Sequence, residues 1–501
     1  MKNVVEYLIN NSQDGKIAIK DEKKDVSYEQ LKNSVFRIAS SIGKIINSRT
    51  AVGVYMEQSA DSIISFLSIA YAGCFYSTLN VDLPETRLLQ IVEVLDPKLI
   101  ITSDSLLENA KSLFPNTLIK TINELLVCEK DDFLLNRRLS SQIDTDPLYI
   151  NFTSGSTGIP KGIIVSHRSV IDFIDYFVEL FGICENDVIA NQAPFDFDVS
   201  VKDIYSCLKA GATILVIPRR LFSSPTGLID YLCDNNTTTM IWAVSALCLL
   251  STFHSLEYRV PSSVNKVLFS GEIMPYKALK YYKTYLPNAM FVNLYGPTEI
   301  TCNCTYHILD SDRDYCEGIP IGKPFPNEDV FLLDENDLII LDMDKVGEIC
   351  VRGTCLALGY YLNDEQNKKH FVSNPVNNKY PELIYRTGDL GKYKTNNELL
   401  FAGRKDFQIK YMGHRIELEE IEHEMSLIDG VERCCCIFDD KKSRLKGYYI
   451  GSIEKEDLYS KMKNDLPIFM IPGILKKIDK FPLNKNGKID RKLLATSEEY
   501  K

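Results

Sequence analysis

The chain contains one tryptophan and six histidines in 501 residues. No uninterrupted apolar run reaches the roughly 18 residues that a membrane-crossing helix needs, and the first ten residues carry no signal-peptide pattern. Long basic runs are absent as well. Against 68 acidic residues stand 57 lysines and arginines, a formal charge of −11. Nucleic acid and membrane are therefore not expected as partners. The fourteen cysteines show no paired C-x-x-C framework, which argues against a structural zinc site. Without an export pattern they read as reduced cytoplasmic thiols, with Cys434, Cys435 and Cys436 in a buried strand. No internal repeat and no low-complexity linker is present.

What is present is length and alternation. A chain this long exceeds one core, so two or more domains are expected. Short apolar runs at 51–56, 99–102, 213–217, 240–243, 267–269 and 290–294 read as strands, with helical or loop segments between them. Residues 85–95 read as a helix, and Ser27 with Gln30 has the pattern of a capping box. The fold class is α/β, a largely parallel, layered sheet architecture. After a boundary at 403–406 the pattern changes to helix 417–427, strand 431–438 and helix 455–466. The organisation expected is 1–402, a short connection at 403–406, and a small α+β domain at 407–501.

The most informative stretch is 149–162. A short buried strand ending at Phe152 runs into Thr153-Ser154-Gly155-Ser156-Thr157-Gly158, and Lys161 follows at once. Glycines let backbone N–H groups approach phosphate oxygens, hydroxyls donate further bonds, and a lysine adds a point charge. This is the chemistry of a phosphate cradle, though not the G-x-x-x-x-G-K-[ST] pattern. Followed by Pro160-Lys161-Gly162, it resembles the phosphate-binding loop of the adenylate-forming superfamily, which comprises acyl-CoA synthetases, luciferases and the adenylation domains of nonribosomal peptide synthetases.

The remaining motifs resemble that superfamily's in order and over essentially the full length. The resemblance implies a large N-terminal adenylation core, a hinge at 403–406 pivoting on Asp406, and a mobile C-terminal lid. In Asn293-Leu294-Tyr295-Gly296-Pro297-Thr298-Glu299 it implies that Tyr295 stacks on adenine, Thr298 contacts the α-phosphate and Glu299 binds Mg²⁺. Gly271 and Glu272 would line the adenine site, with Asn293 and Gly296 beside them. Asp389 would hold the ribose, since a carboxylate accepts two hydroxyl donors well. Arg404 would approach ribose or phosphate, and Lys488 would bridge substrate carboxylate and α-phosphate.

The implied reaction is ATP plus a carboxylate giving an acyl adenylate and pyrophosphate, followed by transfer to a thiol. It needs alignment and charge compensation, not a covalent enzyme intermediate. Asp198, in Phe197-Asp198-Val199-Ser200, matches the aspartate that binds the α-ammonium in amino-acid-activating members. Asp198 also stands where it could N-cap the next helix. The matching pocket positions are Asp198, Val199, Lys202, Trp242, Leu268, Ser270, Leu294, Cys302 and Asn303. The resemblance makes Trp242 a residue that narrows the pocket. Lys202 either reads an acidic or polar substrate side chain, or pairs with Asp198 one helical turn away.

Several segments, and the freestanding length, look especially like the D-alanine–D-alanyl carrier protein ligases. Lys202 and Ser270 depart from those enzymes, which usually have methionine and cysteine there. The chain ends ten residues after Arg491. The acceptor is therefore expected to be a phosphopantetheine arm on a separate small, acidic carrier protein. Two other readings remain at this point: an acyl- or aryl-CoA ligase, against which Asp198 argues, and a non-catalytic module, against which Lys161, Glu299, Asp389 and Lys488 argue.

Overall fold

The capping box at Ser27 forms. Its hydroxyl accepts from the Gln30 backbone N–H at 3.2 Å, the Gln30 side chain accepts from the Ser27 N–H at 2.9 Å, and the helix Tyr28–Ile45 starts there. Leu31, Val35, Ile38 and Ile42 recur along one face of that helix and are buried. The computed structural model describes residues 1–155, 159–394, 398–439, 442–483 and 489–496. It divides into two compact units. One comprises Met1–Val81, Leu95–Asn151 and Gly162–Lys405, and the other the described residues of Asp82–Val94, Phe152–Lys161 and Asp406–Lys501.

The first unit is built on two large sheets. A nine-stranded sheet runs in the order Lys323–Pro324, Thr305–Ile308, Met290–Tyr295, Lys266–Ser270, Thr239–Ala243, Val188–Asn191, Thr213–Val216, Ile17–Lys20, Asp25–Ser27, and its central pairs are parallel. A seven-stranded sheet runs Gly359–Tyr360, Lys161–Ser166, Pro147–Thr153, Phe75–Thr78, Ala51–Tyr55, Leu99–Thr102, Ile119–Thr121. Every residue of Ala51–Tyr55 and of Leu99–Thr102 is buried, as parallel strands covered on both faces require. One apolar core draws on both sheets: Val52, Val54 and Ile101 from the smaller meet Ile189, Ile241, Leu268 and Leu294 from the larger, with Phe173 and Phe177 among them. Phe173 and Phe177 lie on the helix His167–Phe181, which the Ser166 hydroxyl caps by accepting from Ser169 N–H. The opposite face of the nine-stranded sheet has its own core, including Trp242, Phe269 and Tyr282.

A third sheet carries Glu328–Leu333, Gly347–Gly353, Leu383–Tyr393 and Phe371–Ser373, with Leu399–Arg404 paired to Leu383–Tyr393. In the second unit, Gln408–Tyr411 and His414–Glu417 form a hairpin that leads into the helix Leu418–Leu427. The strands Val431–Asp439, Arg444–Gly451 and Ile474–Lys477 form a further sheet. Cys435 and Cys436 are buried in the first of these, as expected. Arg491 ties the end of the chain to this unit through Glu422 at 2.5 Å, over the ring of Phe407. Among the described residues no disulfide joins the cysteines, no helix is long and apolar enough to cross a membrane, and no cluster of three His, Cys, Asp or Glu side chains could hold a metal.

Candidate active site

Strand ends in an α/β sheet are where ligands bind, because the following loops converge there. Met290–Tyr295 ends on Tyr295, whose hydroxyl donates to Asp389 Oδ2 at 2.6 Å. The Arg404 guanidinium donates to the other oxygen of the same carboxylate. Asp389 and Arg404 are paired residues of neighbouring strands, so the ladder itself sets their approach. The Thr387 hydroxyl accepts from Asp389 N–H and donates to the Ile349 carbonyl. Burial, followed by the adjacent Asp389 charge, pushes the Tyr295 phenol far above its ordinary range, so it remains a donor. Tyr295, Asp389 and Arg404, all expected at the base and sugar site, thus form one hydrogen-bonded group. Asn293, expected beside them, faces inward and donates to the Pro320 carbonyl.

Beyond Gly296 and Pro297 the chain turns through Thr298–Ile300. Glu299 is 1% exposed, and the Tyr360 hydroxyl donates to its Oε1 at 2.6 Å. Tyr360 in turn lies 3.3 Å from the Tyr385 hydroxyl. Tyr360 escaped sequence reasoning: it sits 61 residues from Glu299, in Gly359–Tyr360, with no spacing to mark it. Gly296 has a steric reason. A Cβ there would lie 2.6 Å from the Asn303 Cα. Gly271 takes φ +96°, a backbone region suited to glycine, and Glu272 beside it is half-buried.

Asp198 precedes the helix Val199–Ala210. Its side chain does not cap that helix, and its backbone is already helical, so the capping role is not taken. The Cys302 thiol donates to the Asp198 carbonyl at 3.1 Å. Thr301 and Cys302 both take positive φ, +53° and +73°, an uncommon pair for non-glycine residues. This turn carries Asn303 to Lys202: the ammonium donates to Asn303 Oδ1 at 2.7 Å and to Ser270 Oγ at 3.4 Å. Lys202 is fully buried and has no carboxylate oxygen within 4.0 Å among the described residues, so the pairing with Asp198 is replaced by neutral partners. Desolvation depresses the lysine, while the nearby Cys302, Asp198 and Asp203 pull the other way. Leu268, Leu294 and Cys302 are buried in the same core, and Val199 is half-buried.

Trp242 does not join them. It pairs in register with Phe269, between the residues that match Leu268 and Ser270, and side chains alternate across a strand. Its indole lies in the opposite core against Phe222 and donates to the Ala190 carbonyl at 2.9 Å. The expectation that Trp242 narrows the pocket is therefore corrected.

In the second unit, the residues leading into the glycine-rich loop meet the helix Leu418–Leu427 and its approach. The Ser154 hydroxyl donates to the Arg415 carbonyl at 2.8 Å and accepts from Glu417 N–H at 3.3 Å. Gly155 N–H donates to Glu420 Oε2 at 3.0 Å, and Arg87 donates to Glu420 Oε1 at 2.6 Å. Lys161 Nζ stands 3.9 Å from Glu417 Oε1. Thr153 is half-buried at the end of its strand. A carboxylate thus sits on a backbone N–H that the cradle reading assigns to phosphate. Burial pushes the Glu420 carboxyl up to about 7, with Arg87 and the Gly155 N–H pulling it down. Asp406, at the start of this unit's C-terminal segment, is exposed and accepts from Gln408 N–H. Ser156, Thr157, Gly158 and Lys488 lie outside the described residues.

Comparison with known proteins agrees with the motif order. The chain is 31% identical over 500 residues to a D-alanine–D-alanyl carrier protein ligase of Staphylococcus aureus, covering 96% of this chain and 95% of that protein. It is 29% identical over 486 residues to tyrocidine synthase 1 of Brevibacillus parabrevis, covering 96% of this chain but 43% of that longer protein. The solved structure of IdnL1 shares the fold, with a TM-score of 0.83 at 24% identity over 96% of this chain and 98% of that one. The family model described as AMP-binding enzyme matches residues 9–361, and with these relatives it establishes that the chain belongs to the AMP-binding enzyme family, the adenylate-forming superfamily whose motifs it carries.

Proposed function

We propose that the protein activates an amino acid with ATP, forming an aminoacyl adenylate and pyrophosphate, and then transfers the aminoacyl group to the phosphopantetheine thiol of a separate small, acidic carrier protein. The observation that carries the amino-acid reading is Asp198, hydrogen-bonded through its carbonyl to Cys302 beside Ser270, Asn303 and Lys202. A carboxylate at such a pocket is a fitting partner for an α-ammonium, and an acyl- or aryl-CoA ligase has no use for it.

In this reading the enzyme works by alignment. Tyr295 stacks on adenine, and the Asp389 carboxylate exchanges its present donors for ribose hydroxyls, with Arg404 alongside. Gly271, Glu272, Asn293 and Gly296 line the base and sugar site. Thr153, Ser154, Gly155, Ser156, Thr157, Gly158 and Lys161 cradle phosphate oxygens, and Thr298 contacts the α-phosphate. Lys488 offsets the charge that builds as the substrate carboxylate attacks phosphorus. The buried Glu299 is a hard oxygen donor and suits Mg²⁺, a metal held by one or two carboxylates with phosphate oxygens and water supplying the rest. When bound there, Mg²⁺ neutralises phosphate charge. Residues 403–406 act as the hinge between residues 1–402 and 407–501, with Asp406 as the pivot; Gly403, at φ +121°, supports a backbone change there.

The match to carrier protein ligases supports transfer to a carrier protein, and D-alanine is the second reading for the substrate. The test is loading itself. A holo carrier protein incubated with enzyme, ATP and amino acid should gain the mass of one aminoacyl group as a hydroxylamine-labile thioester. Transfer to free coenzyme A from a fatty or aryl acid, with no carrier loading, would contradict the proposal.

A further inference from the structure

We propose that Lys202 is a specificity-determining residue and that the amino acid activated here bears a side-chain carboxylate, of the aspartate or glutamate type; the inference rests on the amino-acid-activating reading above. A lysine ammonium has three donors. Lys202 spends two on Asn303 and Ser270, and among the described residues its third N–H has no acceptor. The group is fully buried, next to a core that includes Leu268, Leu294 and Cys302. A buried cation held only by neutral oxygens is costly unless an anion completes it.

Neither neighbouring carboxyl bonds the Lys202 ammonium among the described residues. Asp203 turns to Asn191, which donates to its Oδ2 at 2.7 Å, and its other oxygen has no hydrogen-bond partner among the described residues. Burial pushes the Asp203 carboxyl up, with the Asn191 hydrogen bond and the nearby Lys202 pulling it down. Asp198 lies one turn earlier on the chain, about 6 Å along a helix axis, and its charge is matched by the substrate α-ammonium. When the substrate side chain is neutral, Lys202 keeps an unused N–H and has no carboxylate oxygen within 4.0 Å among the described residues. A substrate carboxylate both closes the charge and accepts the unused N–H. The spacing of Asp198 and Lys202 suits two oppositely charged groups on one small molecule, the α-ammonium at the first and the side-chain carboxylate at the second.

The test is ATP–pyrophosphate exchange by the full-length protein with acidic, amide and small neutral amino acids in both enantiomers. The expected result is an acidic amino acid preferred by about 100-fold or more in kcat/KM, the size of penalty a site imposes when its buried polar group is left unpaired. Lys202→Met, similar in length but uncharged, should remove most of that preference through KM for the acidic substrate. Preference for alanine or an amide in the wild-type protein overturns the inference and leaves the amino-acid reading standing. An acidic preference unchanged in a folded Lys202→Met overturns the role of Lys202. Exchange with no amino acid at all overturns both readings together. The wild-type panel decides the substrate class whether or not the variant folds.

Discussion

Tyr295 and Asp389, 94 residues apart in the chain, share a 2.6 Å hydrogen bond, and Arg404 bonds the carboxylate from the other side. The carboxylate proposed for ribose is thus held in place by a phenol and a guanidinium that are likewise proposed for the nucleotide site. Asp389→Asn keeps the shape but loses the charge that both donors face. The KM for ATP should rise about 10- to 100-fold, as expected when a charge-assisted bond worth roughly 1.5–3 kcal/mol is removed. Steady-state kinetics with ATP varied measures it, and an unchanged KM would remove Asp389 from the ribose site.

Glu299 is held by the Tyr360 hydroxyl, so Tyr360→Phe should act through Glu299 and not directly on substrate. Residues that orient a metal-binding side chain typically matter by about 10- to 100-fold in metal affinity or activity. The variant should need about ten times more Mg²⁺ for half-maximal exchange, with the KM for the amino acid unchanged. A loss that added Mg²⁺ does not relieve would assign Tyr360 a purely structural role.

The Glu420 carboxyl, raised by burial to about 7, makes stability pH-dependent. The folded protein holds this proton more tightly than the unfolded chain. Its contribution is fully present below about pH 4.5 and is lost as pH rises through about 7, on the order of 3 kcal/mol in all. Glu420→Gln removes this titration. Its thermal midpoint relative to the wild-type protein should therefore improve between about pH 5 and about pH 8. A midpoint difference that stays constant over that range would contradict the assignment.

Trp242 belongs to the core on the far side of its sheet, so it should govern stability and not selectivity. Trp242→Phe should cost about 1–3 kcal/mol in chemical denaturation through lost volume and the lost bond to Ala190. The ranking of amino acids in exchange should not change. A changed ranking would return Trp242 to the pocket.

That last residue marks where the sequence becomes hard to read. Strands such as 51–55 and 99–102 were legible because they are short runs of mostly apolar residues, and Ser27 with Gln30 was legible because a cap is a local event. The motif around Tyr295 and Glu299 was legible as a pattern. Which face Trp242 takes depends on one step of register against Phe269, which composition does not show. Tyr360 on Glu299, and Glu420 on Gly155 across 265 residues, are tertiary contacts with no spacing signal. Lys202 was legible as an anomaly, but its hydrogen bonds to Asn303 and Ser270 are tertiary contacts that the sequence does not show.

The most direct measurement compares an amino acid with its N-acetyl derivative in ATP–pyrophosphate exchange, using the wild-type protein and Lys488→Ala. Exchange in the wild-type protein should require the free α-amine that Asp198 is proposed to bind, and Lys488→Ala should slow it by about 100-fold or more, the scale of losing a charge-stabilising group at the reacting centre. Equal exchange with the acetylated compound, or exchange only with fatty or aryl acids, would contradict the amino-acid assignment; full activity in Lys488→Ala would contradict the assigned adenylation lysine.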